Sequence, residues 1–236
     1  MQIKTRLAQA LLGAALLLGA LAPVAAQTGK QDTTGHSRTF SLNGKTHEFT
    51  FPAGYCPVAD TGPERALFNE LYDSMQGQTV LLYLVIECQE KKEYFSDKRE
   101  FFDRFIQIQQ ITPKGNRSPL PYSRKEFIES TSGNIKQSDK DQIFQRTEKS
   151  LKELGVSLQS TEVKKLGHDG SALYYGIKSS AVSDGTVRNS VALGAMTLVN
   201  KIPVSVNVYD LSEDPTKRKA MMGNLQVVLK SMLRYE

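Results

Sequence analysis

The chain has no tryptophan, only three histidines and only two cysteines, and these shortages narrow its chemistry before any motif is sought. A zinc site draws three or four ligands, usually at short spacings such as HExxH or Cys-x-x-Cys, and neither spacing occurs. Gly-x-Ser-x-Gly and Ser-x-x-Lys are missing too, as are the glycine-rich loops that cradle phosphates, so no nucleophile or nucleotide signature is present. Charge of one sign is also scarce: 30 basic side chains face 25 acidic ones, without the concentrated basic face of a nucleic-acid binder. A mean hydropathy of -0.36 excludes a protein with many membrane spans.

The one long apolar run lies at the start. Lys4 and Arg6 precede Leu7 to Leu21, and Pro23-Val24-Ala25-Ala26 then leads into polar Gln27-Thr28-Gly29-Lys30. A charged start, a short apolar centre and small residues before a polar stretch make a secretory signal peptide over residues 1–26. The apolar run is about 15 residues, against the roughly 20 that span a bilayer. Removal of this segment takes away two bases and no acid, so the formal charge drops from +5 to +3. The mature chain is expected to be exported, periplasmic or secreted, with no stable membrane insertion.

Export explains the cysteines. Cys56 and Cys88 both lie in the mature chain, and two thiols in an oxidising compartment form a disulfide. The loop that such a bridge closes gives roughly 3 to 4 kcal/mol by chain entropy. This is structural work, so the reading assigns no catalytic, cofactor-binding or metal residue.

Residues 27–37 contain no aliphatic or aromatic side chain and read as a flexible arm, leaving residues 38–236 as one domain. Arg38–Leu42 and Lys45–Phe51 flank Asn43-Gly44, the strongest short hairpin signal, and place Phe49 and Phe51 on one face. Thr61-Gly62-Pro63-Glu64 reads as a capping box before a helix with Leu67, Leu71 and Met75 inward and Gly77 at its end. Val80–Ile86 is a short, uniformly apolar strand. The charged block from Glu90 to Glu100 reads as a solvated loop. A strand follows over 102–112, then a capped helix from Ser123 and a second helix over 140–154.

The rest is a meander of strands near 161–166, 172–177, 187–198 and 204–208, turned by His168-Asp169-Gly170, Ser183-Asp184-Gly185 and Asn200-Lys201. Alternation of Val204, Val206 and Val208 with Ser205 and Asn207 predicts one wet face. A helix after Asp214-Pro215 carries Met221, Met222, Leu225, Val228, Leu229 and Met232 in one stripe. Core packing explains that stripe better than membrane docking. The fold class is α+β: a mainly antiparallel sheet of six or seven strands with helices on its faces, an α/β/α sandwich.

The opening hairpin TFSLNGKTHEFTFPAGY, the middle strand DRFIQIQQITP, the run ALYYGIKSS through MTLVNKIPVSVNVYD and the closing helix DPTKRKAMMGNLQVVLKSM resemble the PsbP/Mog1-like fold class. The likeness is one of pattern and order over residues 38–234 and transfers no functional residue. It implies an accessory or interaction protein, including exported bacterial ones. Two functions follow: an exported, non-catalytic envelope protein that binds another envelope protein through a sheet edge or residues 90–100, or a small-ligand binder or cryptic hydrolase around His47 or His168. The sequence assigns no cofactor. His36, His47 and His168 read as ordinary surface histidines, Asp169 as a turn residue, and Asn116-Arg117-Ser118 as a chance-level glycosylation sequon.

Overall fold

A computed structural model describes residues 37–74, 79–112, 117–133, 157–183, 186–211 and 215–234. The expected signal peptide, the arm as far as His36, the end of the first helix at Met75 and Gly77, the helix over 140–154 and the turn at Asp184-Gly185 lie outside them.

Hairpin strands β1 (Ser37–Leu42) and β2 (Lys45–Thr50) pair in the register that the Asn43-Gly44 turn demands, with Phe40 opposite His47 and Leu42 opposite Lys45. Asn43 and Gly44 both have positive φ, 51° and 73°, as a type I′ turn requires. This hairpin is a sheet of its own. The main sheet has seven strands in the order β3-β4-β5-β9-β8-β7-β6, and every neighbouring pair is antiparallel. Its strands are β3 (Tyr55–Pro57), β4 (Thr79–Glu87), β5 (Arg104–Ile111), β6 (Ser157–His168), β7 (Leu173–Ser183), β8 (Thr186–Val199) and β9 (Ile202–Asp210). The α+β class and the antiparallel sheet are as the sequence pattern indicates.

Helices cover both faces of the sheet. Helix α1 (Arg65–Ser74) buries Leu67 and Leu71 against Leu84, Ile86 and Phe105, and α2 (Cys88–Phe95) adds Tyr94 to the same cluster. Helix α3 (Arg124–Gly133) opens on the expected capping box: the Glu126 amide donates to Ser123 Oγ, and the Ser123 amide donates to Glu126 Oε2 at 2.7 Å. The opposite face carries the C-terminal helix α4 (Arg218–Leu233) beside the hairpin. There Met221, Leu225, Val228, Leu229 and Met232 are buried with Phe49, Phe51, Val204, Val206 and Val208.

Three local expectations are corrected. Thr61 makes no side-chain cap; Gly62–Glu64 is a short 3-10 turn, and Glu64 reaches back to the Ala59 amide at 2.7 Å. Strand β9 has no wet face, because it lies between β5 and β8 with both of its sides covered, and Ser205 and Asn207 are buried. Asn207 Oδ1 accepts from the Tyr175 hydroxyl at 2.6 Å, which satisfies a polar group that would otherwise be costly to bury. The third correction concerns residues 90–100. They are not a loop: their first part is α2, and Glu90 is buried. The sheet also fixes Gly194, where a Cβ would overlap the Tyr175 ring and Asn207 Oδ1.

Candidate functional site

The densest cluster of charge and covalent structure lies where β4 runs into α2. Strand β4 delivers Glu87 and Cys88 in succession. The Glu87 carboxylate caps α2 by accepting from the Glu90 amide at 2.9 Å, and the Cys88 amide donates to Gly54 O at 2.8 Å. Cys56, on the short edge strand β3, is bonded to Cys88 with the two Cα atoms 5.0 Å apart. Among the described residues there is no free cysteine. The disulfide therefore ties the edge strand to the first residue of α2. Lys91 adds a second tie, donating to Pro57 O at 2.6 Å and pairing with Glu64 at 2.8 Å.

Glu90 makes the third tie, and it is the least exposed charged group of the corner, at 3%. Its Oε2 accepts from the Asp103 and Arg104 amides at 2.7 and 3.0 Å, and its Oε1 accepts from Arg104 Nε at 2.8 Å. The carboxylate thereby replaces the ladder partners missing at the start of β5. Arg104 also approaches Glu87 at 3.4 Å, while Arg99 binds Asp103 at 2.6 Å and Glu93 at 3.4 Å. Burial holds the Asp103 carboxyl above its ordinary range against the pull of Arg99. Tyr55 beside this network is pushed up to about 12, first by burial, with Asp210 and Glu90 opposing the ionised form and Arg104 favouring it. An aromatic ladder backs the corner: Tyr94, Phe102 and Phe105 meet edge to face, and Phe105 stacks on Tyr209 with ring centroids 4.4 Å apart.

These carboxylates are engaged in holding backbone and guanidinium groups. Among the described residues no group of three or more His, Cys, Asp and Glu is arranged to hold a metal ion. What the corner presents to solvent is the outer side of α2 and the turn after it, where Gln89, Lys92, Lys98 and Glu100 are exposed.

The histidines are not brought together. His168 ends the edge strand β6 and is exposed. His47 belongs to the separate hairpin and, against the surface expectation, is only 2% exposed. Its position explains the burial: it alternates in phase with Phe49 on the inward side of β2. Asp169 serves the β6–β7 turn as expected, accepting from the Ser171 and Ala172 amides at 2.7 and 3.0 Å and from the Tyr174 hydroxyl at 2.9 Å. Partial burial raises its carboxyl, but these donors, with His168, bring it below the ordinary value overall. His36 and Asn116 lie outside the described residues.

No protein-family model matches the chain, and no curated protein does. The solution structure of cyanobacterial PsbP (CyanoP) from Synechocystis sp. PCC 6803 is similar to it at 13% identity, with 89% of this chain and 98% of that chain covered and a TM-score of 0.41. The likeness brings no site or role to this chain.

Proposed function

We infer that the mature chain is an exported, non-catalytic accessory protein that binds another protein of the cell envelope through the outer side of α2 and the turn after it. The supporting observation is the way α2 is mounted. The disulfide and Lys91 hold the helix to β3, Lys91 also holds it to Glu64 and Glu90 to the start of β5, while Gln89, Lys92, Lys98 and Glu100 stand in solvent. A surface mounted so firmly loses little conformational freedom when a partner docks, which favours affinity. No described helix is long and apolar enough to cross a membrane.

The test is cross-linking capture from the envelope of the native cell, comparing the natural chain with a Lys92→Glu, Lys98→Glu double variant. Loss of the captured partner with an unchanged thermal midpoint supports the reading. Equal capture by both proteins overturns this placement of the contact. A turnover that disappears in a folded His168→Ala variant would replace the accessory reading with the hydrolase one.

A further inference from the structure

The β1–β2 hairpin shares no backbone ladder with the main sheet. Side-chain hydrogen bonds reach it from three residues: Ser231 Oγ accepts from the Thr50 amide at 2.8 Å, the Tyr83 hydroxyl donates to Thr39 O at 2.7 Å, and Asn200 Nδ2 donates to Leu42 O at 3.0 Å and to Asn43 O at 3.3 Å. Apolar packing of Phe40, Leu42 and Phe49 adds to this attachment. His47 lies within that packed face, with the Phe40 ring centroid 5.5 Å away, and neither of its ring nitrogens has a hydrogen-bond partner among the described residues.

The surroundings are hostile to a charged imidazole. The hairpin carries Arg38, Lys45 and Glu48, and Glu48 is exposed on the opposite side of β2 from His47. Helix α4, which packs on the hairpin, carries Arg218, Lys219 and Lys230 and no acid between Arg218 and Leu233. The β8–β9 turn, which holds Leu42 through Asn200, adds Lys201. Asp60 acts on Tyr83 of β4, which itself touches Phe49. None of these elements offers His47 a carboxylate partner. Burial first, and Lys45 second, hold its proton affinity below the ordinary value of 6.5.

We propose that His47 is an acid-sensitive latch: when it takes up a proton, the β1–β2 hairpin leaves α4 while the disulfide-stapled sheet stays folded. The direction follows from linkage. A released hairpin binds the proton more tightly than a docked one, so docking is fully favoured above the ordinary histidine value. It weakens as pH falls from there towards the lowered value. The Cys56–Cys88 bond lies beyond the hairpin in the chain and keeps β3 in place when the hairpin moves.

Hydrogen exchange of the whole mature chain, corrected for intrinsic rates, tests this between about pH 7.5 and about pH 5, with the His47 ring followed by NMR in the same samples. Peptides over 37–51 are expected to gain about tenfold in exchange per pH unit once His47 titrates, while β5 and β9 change by less than about twofold. In His47→Phe, which keeps an aromatic ring and removes the proton site, the acid-induced gain should vanish. Hairpin and sheet rising together, a hairpin that stays protected after His47 has titrated, a His47 that does not titrate before the whole protein unfolds, or a His47→Phe variant that keeps the gain would each overturn the latch. If His47→Phe fails to fold, the natural protein's exchange and ring titration decide alone.

Discussion

A single carboxylate does most at the residue scale. Glu90 accepts two backbone amides and an arginine at a point where strand β5 begins without a ladder partner on that side. Glu90→Ala is therefore expected to cost about 2 to 4 kcal/mol, since it leaves the Asp103 and Arg104 amides without their acceptor and the Arg104 guanidinium with only its longer contact to Glu87. Glu90→Gln keeps the shape and one acceptor oxygen, so it should cost less. Urea unfolding of both variants checks the order, and equal losses would contradict it. No direct sign of this role is legible beforehand, because a glutamate among Lys91, Lys92 and Glu93 looks like any solvated face. One signal was available: Glu87 and Glu90, three apart, have the spacing of a helix cap, and that cap turns Glu90 inward. His47 was harder to read as buried. Its alternation with Phe49 places it inward, but only the packing of α4 on the hairpin shows that this side is covered.

Among the elements, those whose periodicity agrees with their turn chemistry were legible. The hairpin, the capped α3, the meander turns at 168–170 and 200–201 and the stripe of α4 all carry two concordant local signals. Strand β9 misled because Ser205 and Asn207 alternate with valines as they would on a solvated sheet, and a buried tyrosine hydroxyl stands in for water. Helix α4 offers the cleanest energetic check. Leu229 is buried among Phe49, Val206 and Val208, between the hairpin and the sheet, so Leu229→Ala should lower stability by about 2 to 5 kcal/mol in thermal or urea unfolding. Val227 on the same helix is 42% exposed, and Val227→Ala should be close to neutral.

For the whole molecule, the disulfide acts on a sheet edge. Strand β3 has only three residues, and Cys56 fastens it to α2. Replacing both cysteines by serine should lower stability by roughly 3 to 4 kcal/mol, read as a lower midpoint in urea unfolding. An unchanged midpoint would show that the Glu90 and Lys91 ties suffice without it. The strand order itself was not legible, because hairpin signals show which strands follow one another and say nothing of which distant strands meet. The join between β5 and β9 is of that kind.

That join has a consequence for how the chain comes into being. Strand β9 is the last strand to be made, yet it lies in the middle of the sheet, between β5 and β8. Without it, β3, β4 and β5 belong to one ribbon and β6, β7 and β8 to another, and the edges of β5 and β8 lack their partner. A chain that is made N-terminus first thus holds two unfinished halves of the sheet, which can close only when residues 202–210 arrive to join them.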